Sequence, residues 1–287
     1  MVRIDTGFAI NRVSSAICAD RRRCSESGDP ASQKKIDALL VYLLIQTKSV
    51  YRPVSKSEIK RVREVYATRD SVMPLHDWKV NIYHPRHPMG RLFHEHNHSI
   101  LVQALNNLDF DLGGRKVLGV GCGFGYWLRY CVELGSNPTD LVGVDVSEER
   151  IKEARTRNPA ITWLKIDGSN IPLPSETFDL VMQVVVFSSI HDPSLREKLA
   201  TEMWRTLRVG GHLLWLDHRL LHSDHLIGFT VSQVEGYFHG AELLYSRRVH
   251  PRYFRYIYNR FGWLAQLLSN ISMWRSEAQL LIFEKVR

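Results

Sequence analysis

At residues 117–125 the chain reads VLGVGCGFG, and this stretch indicates the fold more directly than any other. An apolar strand runs into glycines at alternate positions, and VGVD at residues 142–145 gives a second apolar strand that ends in a carboxylate. A glycine turn lets a ligand approach the unpaired N–H groups of a helix N-terminus. An acid that ends the second strand is placed to accept hydrogen bonds from ribose hydroxyls. The pattern therefore predicts the first half of a nucleotide-type binding site.

Strands and helices alternate after this motif. Further apolar runs that read as strands lie at residues 161–166, 178–186 and 212–216. Ser147 is a suitable N-cap for the helix after VGVD, and Asp192-Pro193 can open the helix before the last run. We expect Gly210-Gly211 to close that helix. The repetition of strand and helix predicts a doubly wound, mostly parallel α/β sheet.

The glycine spacing separates two kinds of nucleotide-binding fold. Dinucleotide folds use G-x-G-x-x-G, but Tyr126 stands where that third glycine would be and Gly125 precedes it. The spacing therefore disfavours a nicotinamide dehydrogenase. It resembles motif I of the class I S-adenosylmethionine-dependent methyltransferases. FDLV at 178–181 and LRVGG at 207–211 resemble the second half of the signature of that family.

The resemblance implies a fold, a cofactor and a set of binding residues. The fold is a seven-stranded Rossmann-like methyltransferase sheet with an N-terminal helical lid and a C-terminal antiparallel strand pair, at residues 241–249 and 278–286. The cofactor is S-adenosyl-L-methionine, and Asp167 is expected beside its adenine. The residues expected to bind the cofactor are Gly121, Cys122, Gly123, Gly125, Asp145, Val146, Asp167, Gly168, Ser169 and Gln183.

A closer resemblance covers residues 57–287. It is carried by GYWLR at 125–129, LGSNPTDLVGVD at 134–145, QVVVFSSIHDP at 183–193 and LWLD at 214–217. These stretches are similar to bacterial methyltransferases encoded in clusters for O-antigen, lipopolysaccharide and other surface glycans. The likeness implies O-methylation of a sugar hydroxyl in a glycan or glycosylated metabolite, on family context rather than site chemistry. A small natural product, a protein or RNA are the alternative acceptors.

The chain departs from this subgroup at Gly119, where an acid usually helps to hold the amino group of the ligand. Without that acid, cofactor binding would be weaker or another group would replace it. A further alternative is a catalytically inactive, methyltransferase-like binding protein. The presence of Asp145 and Asp167 with the glycine loop argues against that alternative.

Three residues are candidates for the chemistry. Methyl transfer from a sulfonium is an in-line displacement, so the enzyme mainly aligns the nucleophile with the methyl carbon. A sugar hydroxyl must also lose a proton, which requires a base on the acceptor side, at the carboxyl ends of the strands. His191, Asp217 and His218 follow or end strands there. We interpret His191 as the general base and Asp217 or His218 as orienting it or the acceptor; a structural role for each is the alternative.

The positive charge of the chain lies outside the cofactor core. The whole chain carries 38 Lys+Arg against 30 Asp+Glu, whereas residues 112–219 carry 13 of each. We divide the sequence into a mobile extension (1–53), a helical lid (54–111), the S-adenosylmethionine-binding core (112–219) and a C-terminal part of the same domain (220–287), which includes a basic aromatic helical insertion. Basic flanks suit an anionic or lipid-linked acceptor or an anionic membrane face, or they form an ordinary solvated surface.

Composition narrows the remaining partners. No apolar run approaches the roughly twenty residues that cross a bilayer, which leaves only peripheral membrane contact. The four cysteines show no C-x-x-C pairing, so we expect a reduced cytoplasmic protein. No RNA-binding module is recognisable, which argues against a nucleic-acid partner. The oligomeric state is left open.

A histidine-rich segment runs from His76 to His98. On a helix His94 and His98 would share a face at a spacing that can chelate zinc. However, no H-E-x-x-H motif is present and His96 would point elsewhere. We therefore expect no metal, and contacts of these side chains with cofactor, acceptor or solvent.

Overall fold

The computed structural model describes residues 58–81, 83–219, 226–251 and 276–286. The predicted extension at 1–53 and the predicted insertion at 252–270 lie outside these ranges. The described chain divides into two units. The smaller unit is residues 67–94, and the larger is residues 58–66 and 95–286.

Seven strands form one sheet in the larger unit. They are β1 (Val117–Val120), β2 (Leu141–Asp145), β3 (Thr162–Lys165), β4 (Phe178–Val184), β5 (Leu207–His218), β6 (Ala241–Pro251) and β7 (Ser276–Lys285). Their order across the sheet is β3-β2-β1-β4-β5-β7-β6. The first five strands are parallel, and β7 is antiparallel to both β5 and β6. The predicted doubly wound sheet with a C-terminal antiparallel pair is confirmed.

Six α-helices accompany the strands in the described part of the chain. They are α1 (Glu58–Val72), α2 (Pro88–Asn107), α3 (Tyr126–Glu133), α4 (Glu148–Arg157), α5 (Pro193–Thr206) and α6 (Val231–Glu235). A 3₁₀ turn at Phe187–Ser189 lies between β4 and α5. No helix among the described residues is both long enough and apolar enough to cross a membrane.

The helix caps follow the sequence closely, with one exception. The Ser147 hydroxyl accepts from the backbone N–H of Arg150 at 3.3 Å, and the Asp192 carboxylate accepts from that of Ser194 at 2.9 Å, so both predicted N-caps are confirmed. The prediction that Gly210-Gly211 closes a helix is wrong, because α5 ends at Thr206 and β5 begins in the next residue. Gly210 has φ 70° and lies in β5, where the pairing with β4 is irregular near its start. The glycines therefore permit an irregular strand and do not cap the helix.

Successive residues of each strand point to opposite faces of the sheet, and each face has its own core. On one face Ile100, Leu101 and Ala104 of α2 are buried in a cluster that includes Leu128 and Leu216; we call this the α2-side core. The cluster on the other face, which we call the α5-side core, contains residues of β1, β5 and α5: Leu118, Val120, Leu199, Leu213 and Trp215. Burial of these clusters stabilises the sheet. Because its first five strands are parallel, their carboxyl ends lie at one edge, where the glycine loop begins.

The smaller unit is held by local ring contacts. The Tyr83 ring packs edge-on against Phe93 at a centroid distance of 5.7 Å, and the Arg69 guanidinium lies 6.0 Å from the Tyr83 centroid. His94 Nε2 makes a 2.8 Å hydrogen bond with the carbonyl oxygen of Tyr83. These contacts join Tyr83 to the last turn of α1, through Arg69, and to α2, through Phe93 and His94.

Candidate functional site

The loop after β1 has the conformation that its glycines predict. Gly121, Gly123 and Gly125 have φ values of 61°, 55° and 74°, a region that glycine enters without steric cost. A Cβ on Gly121 would lie 2.4 Å from Val186 Cγ2, and one on Gly125 would lie 2.2 Å from Trp163 Cη2. Backbone torsions and packing therefore both require glycine at these positions.

The middle of the loop is open to a ligand. Of the described residues, only Arg150, through Nη1 at 3.8 Å, would come within 4 Å of a Cβ placed on Gly123. Cys122 holds the loop against β2, since its N–H donates to the Val144 carbonyl at 3.0 Å. The backbone N–H groups at the start of α3 can thus be approached closely, as an anionic or polar ligand requires.

Asp145 ends β2 and joins the two halves of the site. One carboxylate oxygen accepts from the N–H of Gly123 at 2.8 Å, and the other accepts from the N–H of Ser147 at 2.9 Å. Asp145 is buried, and these two hydrogen bonds offset the cost of removing its carboxyl group from water. Each carboxylate oxygen has a second lone pair, which leaves acceptor capacity for two hydroxyls of a ribose.

The loop after β3 contains the residues expected beside an adenine. Asp167 Oδ1 accepts from the N–H groups of Ser169 and Asn170 at 2.8 and 2.9 Å, and these bonds lower the pKa of the Asp167 carboxyl. Gly168 has φ 96°, and a Cβ there would lie 2.3 Å from Ile59 Cδ1 and 3.1 Å from Val146 Cγ1. Gly168 therefore lies under an apolar cover formed by α1 and the residue after β2.

The end of β4 carries a strained backbone. Gln183 is fully buried, and its Oε1 accepts from the N–H of Val186 at 3.1 Å. Its Nε2 has no hydrogen-bond partner among the residues that the structure describes. Between Gln183 and Val186, Val185 has φ 56°, a value that a β-branched residue rarely adopts. Strain of about 1–3 kcal/mol is typical of such a residue and is often found at functional sites.

Arg150 lies beside Gly123 of the glycine loop, and Tyr66 packs against Arg150. The sequence analysis did not predict either as a site residue. The Arg150 guanidinium is buried between two rings, 4.3 Å from the centroid of Tyr66 and 5.0 Å from that of Phe124. Arg150 follows Asp145 by five residues, so it is presented by the first turn of α4. The sequence could not indicate this role, because it depends on the contact between Arg150 and Tyr66 of α1. The helical pattern of α1 does not show where that helix packs.

The loop between β4 and α5 carries His191 and is bound by α1. The backbone N–H of His191 donates to Glu58 Oε1, and the guanidinium of Arg61 donates to the Ser189 carbonyl. The Tyr66 hydroxyl hydrogen-bonds Ser189 Oγ at 2.7 Å. Glu58 lies in the first turn of α1. Its contacts show that α1 is the helix that fixes the conformation of the His191 loop.

The other two candidate residues, Asp217 and His218, end β5 and point to opposite faces of the sheet. Asp217 is fully buried, and its carboxylate accepts from the N–H groups of Ser188 at 3.2 Å and His218 at 2.8 Å. Burial raises the pKa of the Asp217 carboxyl, partly opposed by these hydrogen bonds. His218 is the next residue of the strand, so it points to the opposite face, the one on which Leu216 belongs to the α2-side core. Asp217 thus links β5 to the 3₁₀ turn that precedes His191, whereas His218 faces the other side.

The histidines of α2 have protein contacts. The Tyr126 hydroxyl hydrogen-bonds His98 Nε2, and the His98 ring stacks on Tyr130 at a centroid distance of 3.5 Å. Burial lowers the pKa of His96 to about 4, with a further contribution from Arg247. Within the described ranges no group of three or more His, Cys, Asp and Glu side chains could hold a metal ion.

The part of the chain from β1 to the start of β5, which includes the glycine loop, is similar to a known domain type. Residues 117–211 match the family model described as "Methyltransferase domain". A relative from Mycobacterium tuberculosis, the phthiotriol/phenolphthiotriol dimycocerosates methyltransferase, is 36% identical over 111 residues, which are 38% of this chain and 40% of the relative. A fatty-acid O-methyltransferase of Mycolicibacterium smegmatis is 32% identical over 124 residues, 42% of each chain. The chain therefore spans about two-fifths of the length of these relatives.

A solved structure supports the same fold over a larger part of the chain. The PH0226 protein of Pyrococcus horikoshii OT3 superposes with a TM-score of 0.53 at 14% identity, and the match covers 77% of this chain and 98% of that one. The geometry fits the cofactor that the domain implies, because the space beside Gly123 is open and Asp145 retains acceptor capacity. Residues 117–211 thus match a methyltransferase domain, the sheet has the Rossmann-like architecture of the class I methyltransferase fold, and S-adenosyl-L-methionine is the cofactor that the match implies.

Proposed function

We propose that the protein transfers a methyl group from S-adenosylmethionine to an oxygen atom of its acceptor. The observation that carries this proposal is the bridge that the Asp145 carboxylate makes between Gly123 and Ser147, at the carboxyl edge of a class I methyltransferase sheet. In this proposal the same residue that shapes the glycine loop also binds the ribose hydroxyls. The bound cofactor supplies an electrophilic methyl group on a sulfonium.

The residues of the chain have distinct roles in this proposal. Asp145 binds the ribose, while Asp167, Gly168 and Ser169 receive the adenine beneath the cover of Ile59. Val146 completes that apolar wall, and the backbone of the glycine loop, including Cys122, receives the opposite end of the cofactor. Gln183 supports the turn after β4. Because these groups are fixed by backbone hydrogen bonds, they can align the methyl carbon for in-line attack.

His191 is our candidate for the general base. Two side chains hold the backbone at His191, since Glu58 accepts from the His191 N–H and Arg196 donates to the carbonyl oxygens of Ile190 and His191 at 2.7 and 3.3 Å. Asp217 orients the 3₁₀ turn of the same loop through Ser188. His218, on the other face, is the candidate for orienting the acceptor. In this proposal His191 would accept the proton of the acceptor hydroxyl while its oxygen bonds the methyl carbon and the sulfur–methyl bond breaks, with S-adenosylhomocysteine as the leaving group.

Two acceptor classes are supported by different observations. The likeness to methyltransferases of surface-glycan clusters supports a sugar hydroxyl. Two relatives are named for dimycocerosate and fatty-acid substrates, which supports a lipid-like acceptor. We propose the sugar hydroxyl first and the lipid-like acceptor second. The basic flanks, with the net charge of +8, suit an acidic or lipid-linked form of either.

Transfer of radiolabelled methyl groups into extract of the source organism distinguishes these classes. The full chain is incubated with labelled S-adenosylmethionine, and glycan, glycolipid, free lipid, protein, RNA and small-metabolite fractions are separated. We expect label in the glycan or glycolipid fraction, released by mild treatments that cleave sugar linkages. Label only in free lipid would establish the second acceptor class. Incorporation into no fraction, while S-adenosylhomocysteine binds, would contradict methyl transfer to any acceptor in that extract.

A further inference from the structure

Asn97 is an unusual residue for the buried face of a helix. It is 1% exposed, and neither its Oδ1 nor its Nδ2 has a hydrogen-bond partner among the described residues. A buried amide without partners costs about 1–3 kcal/mol relative to one that is bonded. Such a group is retained where it binds something else, since buried polar groups in native proteins are nearly always satisfied. The mechanism above does not use it.

The position of Asn97 along α2 is fixed by its neighbours. Leu105, two turns later, lies by a cavity of about 290 Å³ that is also lined by Leu112 and Leu134, residues just before β1 and just after α3. That end of α2 is therefore at the amino edge of the sheet. His98, next to Asn97, binds Tyr126, the first residue of α3. The Asn97 end of α2 is therefore at the carboxyl edge, beside the glycine loop.

The face of α2 that carries Asn97 is the one that packs on the sheet. Ile100, Leu101 and Ala104 follow it at helical spacing, and all three belong to the α2-side core. Gly119 of β1 also faces that core, because a Cβ there would lie 3.0 Å from Leu128 Cδ1. Leu128 thus fills the space that a side chain at position 119 would enter. No acidic side chain reaches this wall from β1.

The strand order gives the direction in which the cofactor must lie. Asp145 on β2 is placed for the ribose, and Asp167 follows β3, on the outer side of β2. If the adenine lies toward β3, the amino-acid end of the cofactor extends the other way, across β1 toward β4. The wall on the α2 side of that path is the one where Asn97 is buried.

We infer that the Asn97 carboxamide binds the amino-acid end of S-adenosylmethionine and takes the place of the acid that this chain lacks at Gly119. The inference rests on the proposed function. The amino-acid end carries an ammonium and a carboxylate in one small group. A carboxamide offers an acceptor, Oδ1, and a donor, Nδ2, so it can bond both charges. An apolar side chain can bond neither.

Replacement of Asn97 by Leu tests this role with two ligands. S-adenosylhomocysteine contains the amino-acid end, and 5′-methylthioadenosine has the same nucleoside without it. In isothermal titration of the full chain, Asn97→Leu should weaken S-adenosylhomocysteine binding by about tenfold to a hundredfold, the usual effect of losing hydrogen bonds to charged groups. Binding of 5′-methylthioadenosine should not change.

Thermal melting of the ligand-free protein gives a second readout. Since Asn97→Leu removes an unsatisfied buried amide and keeps the branching and the number of heavy atoms of the side chain, the melting temperature should rise while affinity falls. Asn107→Leu, at the exposed end of the same helix, is the matched control and should change the affinity for neither ligand. Asn97→Ala carries the same ligand comparison if the Leu variant does not fold.

Two results would overturn the inference. These are unchanged affinity for S-adenosylhomocysteine, whatever the change in melting temperature, and equal losses of affinity for both ligands. Each would assign Asn97 to the framework of the fold or to the acceptor side. Failure of the unmodified chain to bind S-adenosylhomocysteine at all would instead contradict the proposed function, so the two failures are distinguishable.

Discussion

Replacement of Asp145 by Ala should weaken the binding of S-adenosylhomocysteine by about a hundredfold or more, because the carboxylate is the acceptor for both ribose hydroxyls and charge-assisted bonds are the strong ones. The change should also destabilise the fold. The N–H groups of Gly123 and Ser147 both lose their acceptor, at about 1–3 kcal/mol each when they remain dry. Isothermal titration measures the first effect, and urea unfolding measures the second.

The control for Asp145 is its neighbour Ser147. Ser147→Ala removes the N-cap of α4, which costs about 1 kcal/mol of stability. It leaves the Ser147 N–H and the Asp145 carboxylate in place, so ligand affinity should be retained. If the Asp145 and Ser147 variants lost stability alike and both bound the ligand normally, Asp145 would be a structural residue only, and the ribose site would have to lie elsewhere.

Replacement of His191 by Ala should lower the methyl-transfer rate at least tenfold and, for a general base, by about 10² to 10⁴. Binding of S-adenosylhomocysteine should not change, because the His191 side chain is not among the groups proposed to bind the cofactor. The contact with Glu58 uses the His191 backbone N–H and survives the substitution. The rate is measured with labelled S-adenosylmethionine and the fraction that accepts label from the unmodified chain.

His239, an exposed residue between α6 and β6, provides the matched control for His191. His239→Ala should leave rate and affinity unchanged. His218→Ala separates the two sheet faces and should raise the acceptor KM more than it lowers kcat. An unchanged rate in the His191 variant, with the loop still folded, would remove His191 from the chemistry.

Much of the fold is readable from the sequence because local signals agree with one another. The strands of the core read as apolar runs, and Ser147 and Asp192 cap the helices that follow β2 and precede β5. Gly121 and Gly125 need positive φ and free space, so the motif constrains its own conformation. The one wrong boundary, at Gly210-Gly211, arose because glycine serves an irregular strand as well as it ends a helix.

The parts of the site that the sequence did not indicate all depend on packing between distant segments. Glu58 binds a backbone N–H more than a hundred residues away, and Arg150 is enclosed by a ring from α1. The unsatisfied amide of Asn97 is visible only once burial is known. Helical periodicity does not report the contacts of Glu58 and Arg150, because each uses the far end of a polar side chain whose helix position is compatible with solvent exposure.

Equilibrium binding of S-adenosylhomocysteine to the unmodified full chain tests the central claim most directly, since it needs no knowledge of the acceptor. Titration is followed by calorimetry, with NAD⁺ as the comparison ligand. We expect S-adenosylhomocysteine to bind and to raise the melting temperature with concentration, and NAD⁺ to do neither. Binding of NAD⁺ in preference to S-adenosylhomocysteine, or binding of neither ligand, would contradict the assignment of this glycine loop and Asp145 to a methyltransferase site.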